Sequence, residues 1–342
     1  MNDSTYNITI CYSVSEISPD FVDLLGFQCL IWALYALIMC CGLLGNSVVI
    51  YCICCENISF SVRKVFVLSL AFSDMLIGLT ALPITAVTIV YREWIFGRLP
   101  CYSIGFVQGS CVFISSLTLA AIAIDRYIMI IYPTTSCVTY RLVTNAVIGI
   151  WFFGYAIASP IAVFSTYERV GNEICGYFCQ ERWPSEHLKL AYGSAVLLIQ
   201  YGLPLAVTIF CYYSIARQVA LQIQKRRKQQ VVLPGAEHRL IKRRRKTNRM
   251  TSLMVASFMI AWLPLNTVNY LHQLRLINPD IFLPLFSMAH IIAMSSIVWN
   301  PLIYSWFHEP FRKILRKLTC RRQAYNRPLL LVDGRDFRDG PL

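Results

Sequence analysis

Charge is what this chain has least of. Asp, Glu, Lys and Arg make up 14% of its 342 residues, against about 25% in an ordinary soluble domain. Histidine is scarce too: there are five, with none of the spacings that hold a metal ion. No nucleophile stands beside a base in a pattern that would support catalysis, so an enzyme has no residues to rest on. The start lacks a basic segment followed by an apolar one, and no cleavable signal peptide is expected. Internal repeats and paired, interrupted short spans are missing, which argues against a transporter. No composition shift marks a second domain.

What is present is apolar, 56% of the residues, and it comes in blocks. Crossing a bilayer as a helix takes roughly 20 mostly apolar residues. Seven stretches qualify, at about Phe27–Cys54, Val65–Val90, Cys101–Ile124, Leu142–Thr166, Leu190–Ala216, Met250–Leu271 and Ile281–Phe307. Asp74 is the only Asp, Glu, Lys or Arg inside them. A water-soluble bundle would need polar helix faces that these blocks do not have. The expected fold is therefore an all-α membrane protein, a seven-transmembrane helix bundle over 27–307. It follows an outer tail (1–26), polar and expected to be mobile, and precedes a cytoplasmic tail (321–342).

Basic residues set the orientation, because Lys and Arg accumulate in cytoplasmic loops. Taken alternately, the connections on one side hold 6 of them and those on the other hold 25. The N-terminus is thus expected outside and the C-terminus inside, in a multi-pass protein of the plasma membrane. The outer side carries ten acids against its six bases. The net charge of +13 is then cytoplasmic, suited to anionic lipid headgroups and not to nucleic acid. The basic runs Lys225–Lys228 and Lys242–Lys246 belong to the third inner loop. Asn2 and Asn7 head N-x-Ser/Thr triplets on the outer side and are candidate glycosylation sites. Asn57 heads another, but on the inner side.

After the seventh block, Phe311, Ile314, Leu315 and Leu318 recur at helical spacing among Arg312, Lys313, Arg316 and Lys317. That predicts a short amphipathic eighth helix over 308–320 on the inner membrane face, with Cys320 placed for palmitoylation. Four cysteines, Cys11, Cys101, Cys175 and Cys179, lie on the oxidising outer side, where disulfides persist. A bridge from Cys101, at the start of the third span, to Cys175 or Cys179 would hold the longest outer loop across the helical mouth. Pro204, Pro264 and Pro301 each remove a helix hydrogen bond and give the bundle hinges.

The spans also carry an ordered set of short motifs. These are Gly45-Asn46 in the first, Leu70-Ala71 with Asp74 in the second, Asp125-Arg126-Tyr127 closing the third, and Trp151 and Pro160 in the fourth. Pro204 with Tyr212 follows in the fifth, Phe258 with Trp262 and Pro264 in the sixth, and Asn300-Pro301 with Tyr304 in the seventh. In this order and depth they resemble the rhodopsin-like (class A) G-protein-coupled receptors, over about Phe27 to Cys320. The resemblance implies that Asp74, with Asn46, Ser115, Ser296 and Asn300, surrounds a sodium ion, the one cofactor expected. It implies that Arg126 is released on activation to meet a heterotrimeric G protein, with Tyr212 and Tyr304 supporting the opened face. Some family members pair this arginine with an acid at the base of the sixth span. Here that place is near Arg244, so such a lock cannot form.

Gln108 occupies the third-span position where amine receptors carry an aspartate, and the seventh span has no lysine for retinal. A narrower similarity is to receptors of the neuropeptide Y, neuropeptide F and short neuropeptide F group. It rests on Cys179-Gln180-Glu181-Arg182-Trp183-Pro184, on Gln200-Tyr201 before Pro204, on Leu265-Asn266 and Asn269 after Pro264, and on His290. It implies a pocket in which Gln108, Gln200, Asn269 and His290 receive an amidated peptide C-terminus, and a G protein of the inhibitory class. RFamide, tachykinin or orexin types are the alternative ligands, and a non-signalling scavenger receptor is another, although its usual sign, a damaged Asp-Arg-Tyr, is missing. The group's acid near the outer end of the sixth span is replaced by His272-Gln273, and Gln273 is expected among the ligand-binding residues. Glu181, Glu186 or Asp280 is then expected to take a ligand arginine. The Trp183-Pro184 context assigns Cys179 to Cys101, leaving Cys175 for Cys11.

Overall fold

The computed structural model describes residues 11–54, 63–132, 138–169, 171, 174–228, 235–307 and 312. Asn2, Asn7, the eighth helix expected over 308–320 (apart from Arg312), Cys320 and the tail 321–342 lie outside them. Among the described residues seven helices are long and apolar enough to cross a membrane: Leu25–Cys54, Lys64–Tyr91, Arg98–Ile131, Tyr140–Phe164, Glu186–Leu221, Asn248–Gln273 and Pro279–Phe307. Span three is the hub, packing on spans two, four, five and six. Spans six and seven pack together, and span seven closes the bundle on span one.

Each helix begins ahead of its apolar block because its first turn reaches the interface, where polar caps are available. Span four ends at Phe164, before the expected Thr166, and a β-strand begins at Ser165. Ser185 Oγ accepts from Leu188 N at 3.2 Å and starts span five at Glu186, ahead of the expected Leu190. Thr139 does the same for span four through Leu142 N, at 3.3 Å. Asn278 caps span seven, followed by Pro279 at the first turn, where a proline costs no hydrogen bond.

Proline frees carbonyls within several spans, and the structure shows what three of them meet. A proline lacks the N–H that would bond the carbonyl four residues earlier. In hydrocarbon that carbonyl has no water to turn to. Pro160 frees Ala156 O, which accepts from Ser159 Oγ at 2.8 Å. Pro204 frees Gln200 O, which accepts from Ser116 Oγ of span three. Pro301 frees Ile297 O, which accepts from Asn46 Nδ2 of span one at 2.9 Å. The helix of span five opens into a wide π turn over Leu198–Gly202, immediately before Pro204. Span two breaks between Leu79 and Ala81, where Pro83 has no N–H to offer the Leu79 carbonyl.

Close approach of spans one and seven is bought with two glycines. A Cβ on Gly42 would fall 2.5 Å from Ile297 Cδ1, and one on Gly45 would fall 2.8 Å from Pro301 Cγ. That proximity brings Asn46, one residue beyond Gly45, within reach of the Ile297 carbonyl.

Outside the bundle, β1 (Ser165–Glu168) and β2 (Phe178–Glu181) form an antiparallel hairpin, with Ser165 opposite Glu181 and Tyr167 opposite Cys179. Disulfides join Cys101 to Cys179 and Cys11 to Cys175. The outer tail departs from the expected mobility over residues 11–24. Tyr12 forms a bridge with Ile174, and Cys175 N donates to Tyr12 O at 3.0 Å. Ser13 with Glu16 and Asp20 with Asp23 make capping boxes for two short helices, Val14–Ile17 and Phe21–Asp23. Arg92 at the outer end of span two then holds Asp23 at 2.9 Å and Ser18 O at 2.6 Å. A disulfide and a charged clamp supply what the tail's composition does not show: partners outside the tail itself.

Candidate functional site

A cavity of about 160 Å³ opens between the outer ends of spans three to six, beneath the hairpin. Glu181 and Trp183 enter it from the hairpin and its exit, Gln200 from the π turn of span five, and Asn266, Asn269 and Gln273 from one face of span six. The bridge from Cys101 to Cys179 fixes the hairpin two residues before Glu181. Glu181 accepts from Trp183 Nε1 at 2.7 Å. The Trp183 ring packs between Phe164 and Tyr192, at 4.3 and 4.9 Å between centroids. This aromatic stack gives the acid a defined place at the mouth.

Four of the eight ligand residues expected from the sequence therefore share one cavity: Glu181, Gln200, Asn269 and Gln273. Gln108 and His290 meet each other instead, in a layer between spans one, three and seven. Gln108 Nε2 lies 3.2 Å from His290 Nε2, and His290 Nδ1 lies 2.7 Å from Tyr35 Oη. An amide nitrogen only donates, so His290 Nε2 accepts, and its Nδ1–H donates to the tyrosine oxygen. The imidazole is neutral in that arrangement and is 2% exposed. Glu186 is exposed and faces Arg275 at 4.0 Å. Asp280 is exposed in the first turn of span seven.

Sequence reasoning missed Tyr35, Lys189, Tyr192 and Asn266. Counting back from Gln200 by helical steps would have found Tyr192 and Lys189, which share its face. Tyr35 had no such signal, since an aromatic in an apolar helix reads as packing.

Deeper in the bundle a polar core surrounds Asp74, which is 3% exposed. Its Oδ2 accepts from Asn300 Nδ2 at 3.0 Å. Ser115 Oγ pairs with Ser73 Oγ at 2.9 Å, and Ser296 Oγ accepts from Trp262 Nε1 at 3.2 Å. Asn46 is turned to the backbone, donating to Gly42 O and Ile297 O, each at 2.9 Å. Of the four polar groups expected around Asp74, Asn300 alone touches it directly. Ser296 links this core to Trp262, whose ring lies 6.0 Å from that of Phe258.

At the inner end, Arg126 is 8% exposed, with Nε 3.9 Å from Asp125 Oδ2. Tyr127 packs near Phe210 of span five at 5.8 Å. Tyr212 and Tyr304 are half-buried on spans five and seven. Pro264 and Pro301 lie inside the helices of spans six and seven, on either side of the Trp262–Ser296 contact. The outer cavity, the polar core and the inner arginine thus follow one another along span three, at Phe113, Ser115 and Arg126.

Comparison with known proteins agrees with this layout. The sequence profile of the 7 transmembrane receptor (rhodopsin family) matches residues 45–304. The chain is 37% identical to Neuropeptide receptor 3 of Caenorhabditis elegans over 313 residues, covering 90% of this chain and 82% of that one. It is 31% identical to the human Neuropeptide Y receptor type 2 over 324 residues, covering 91% and 82%. It is 30% identical to the Neuropeptide F receptor of Drosophila melanogaster over 304 residues, covering 84% and 62%.

Proposed function

The chain belongs to the rhodopsin family of seven-transmembrane receptors, and we infer that it is a receptor for an extracellular neuropeptide of the neuropeptide Y/F kind, signalling through heterotrimeric G proteins. The observation that carries this reading is the outer cavity. Its polar wall of Gln200, Asn269 and Gln273 suits the amide and backbone groups of a peptide, and Glu181 at the mouth suits a basic side chain. The names of its relatives support the same ligand class. In this reading the N-terminus is extracellular, the chain resides in the plasma membrane, and its basic inner loops meet anionic lipid.

Peptide binding drives signalling only by favouring the open state over the closed one. Trp262 stands between the cavity wall on span six and the polar core, through its bond to Ser296. A shift of span six about Pro264 disturbs that bond and, through Asn300 and Asp74, the inner ends around Arg126. A screen of amidated neuropeptides on cells expressing the chain, read through cyclic AMP, tests the function. Nanomolar responses that lower cyclic AMP are expected, matching an inhibitory G protein. Silence across neuropeptide Y-, neuropeptide F- and RFamide-type peptides, with the receptor at the surface, would sink it.

A sodium ion at Asp74 is part of the same reading, because a buried carboxylate in hydrocarbon costs several kcal/mol without a counter-charge. Sodium favours the closed bundle and is expected to lower agonist affinity. Asp74→Asn should reach the surface and bind agonist with equal affinity in sodium and in a large organic cation. Sodium dependence that survives the substitution rules the site out.

A further inference from the structure

Span five lines the cavity with Lys189, Tyr192, Gly193, Val196, Leu197 and Gln200. Three- and four-residue steps connect these positions, which places them on one helix face. Lys189 is therefore on the inward face, not the lipid face where a lysine merely reaches for the interface. It is half-buried. Among the described residues no carboxylate lies within 4.0 Å of its ammonium. The nearest described contacts of the outer-loop acids are to other residues. Glu181 accepts from Trp183, Glu168 holds Arg182 at 2.7 Å, and Glu186 faces Arg275. Across the cavity, Gln273 Oε1 is buried with no hydrogen-bond partner, against Gly193.

One cavity thus presents an anion, Glu181, and a cation, Lys189, together with an unmet acceptor. A basic ligand group alone would answer Glu181 and leave the ammonium to be covered without a partner, which is costly. We propose that Lys189 receives a carboxylate of the bound peptide, so that the ligand brings one negative group as well as one positive group into the cavity. The proposal rests on the peptide-receptor reading and adds the anionic half of the ligand to it. The outer face is net acidic, so a carboxylate is not drawn in from a distance. The recognition is local, and Lys189 acts on which peptide stays bound more than on how fast it arrives.

The carboxylate has two possible sources, an Asp or Glu side chain or a free C-terminus. A matched set of synthetic peptides ending in Arg-Phe separates them. Each upstream position carries in turn Glu, Gln or Lys, and every peptide is made as amide and as free acid. They are tested on the full-length receptor and on Lys189→Gln, Lys189→Arg and Lys189→Glu, compared at equal surface expression. At one position the unaltered receptor should prefer Glu over Gln by about tenfold or more, as for a desolvated charge pair. Lys189→Arg should keep that preference, Lys189→Gln should erase it, and Lys189→Glu should turn it toward the Lys peptide. If the preference falls on acid over amide and is lost in Lys189→Gln, the carboxylate is the C-terminus. Active peptides with no such preference in either comparison, or a preference untouched in Lys189→Gln, overturn the proposal and leave the receptor reading intact. Failure of every peptide on the unaltered receptor removes that reading and the proposal with it.

Discussion

Glu181→Gln weakens an agonist ending in Arg-Phe-amide or Arg-Tyr-amide by at least about 30-fold, which is the low end of losing one partner of a desolvated charge pair. Three acids on the outer face are open to a ligand arginine by composition alone, and geometry separates them. All three are exposed, but of the three only Glu181 lines the cavity; Glu186 stands beside Arg275 and Asp280 at the start of span seven. Glu186→Gln and Asp280→Asn should therefore change potency by less than about threefold, as rim charges do. Replacing the ligand arginine with citrulline removes the charge but keeps the shape. That analogue should be weak on the unaltered receptor and indifferent to Glu181→Gln. If all three neutralisations leave the native agonist within threefold, the acidic anchor is wrong, and an arginine-aromatic amide is not the ligand.

Opening the bridge between Cys101 and Cys179 costs at least as much, because it displaces Glu181 and Trp183 together. The two cysteines are 78 residues apart in sequence, and chain entropy alone assigns about 4.5 kcal/mol to closing a loop of that length. Spans three to five, held by the bilayer, already restrict the chain, so much of the loss falls on the position of the hairpin. A Cys101→Ser, Cys179→Ser double variant should lose more than about 30-fold in agonist affinity, the same floor as removal of the acid it displaces. The Cys11→Ser, Cys175→Ser pair holds the tail to the loop without lining the cavity. It should stay within about threefold, a rim-sized effect. Mapping without reduction should recover both linked pairs. Recovery of Cys101 joined to Cys175, or equal losses from the two double variants, would contradict this division of labour.

Much of the molecule is legible in its residues. A 20-residue apolar block in a membrane has one stable backbone solution, so the seven helices follow from block length. The asymmetry of Lys and Arg orders the loops, and compartment limits the bridging cysteines to four. Motif order places Asp74, Arg126 and Trp262 at their depths. These are local or one-dimensional signals, and the chain carries them without reference to its fold.

What the tertiary structure decided are the partnerships across helices. The sequence says that Pro204 and Pro301 free a carbonyl each. That Ser116 and Asn46 take them depends on helices far apart in sequence being packed side by side. Composition offered Glu181, Glu186 and Asp280 equally, and the bridged hairpin brought Glu181 alone into the cavity. Gln108 and His290 looked like pocket residues and turned to each other and to Tyr35. Nothing in the sequence singles out Lys189, and the rotation of span five places it in the cavity that Gln273 also lines. Length, polarity and order along the chain fix which segments enter the membrane. The rotation of each helix about its axis is set by neighbours it meets only in the folded bundle.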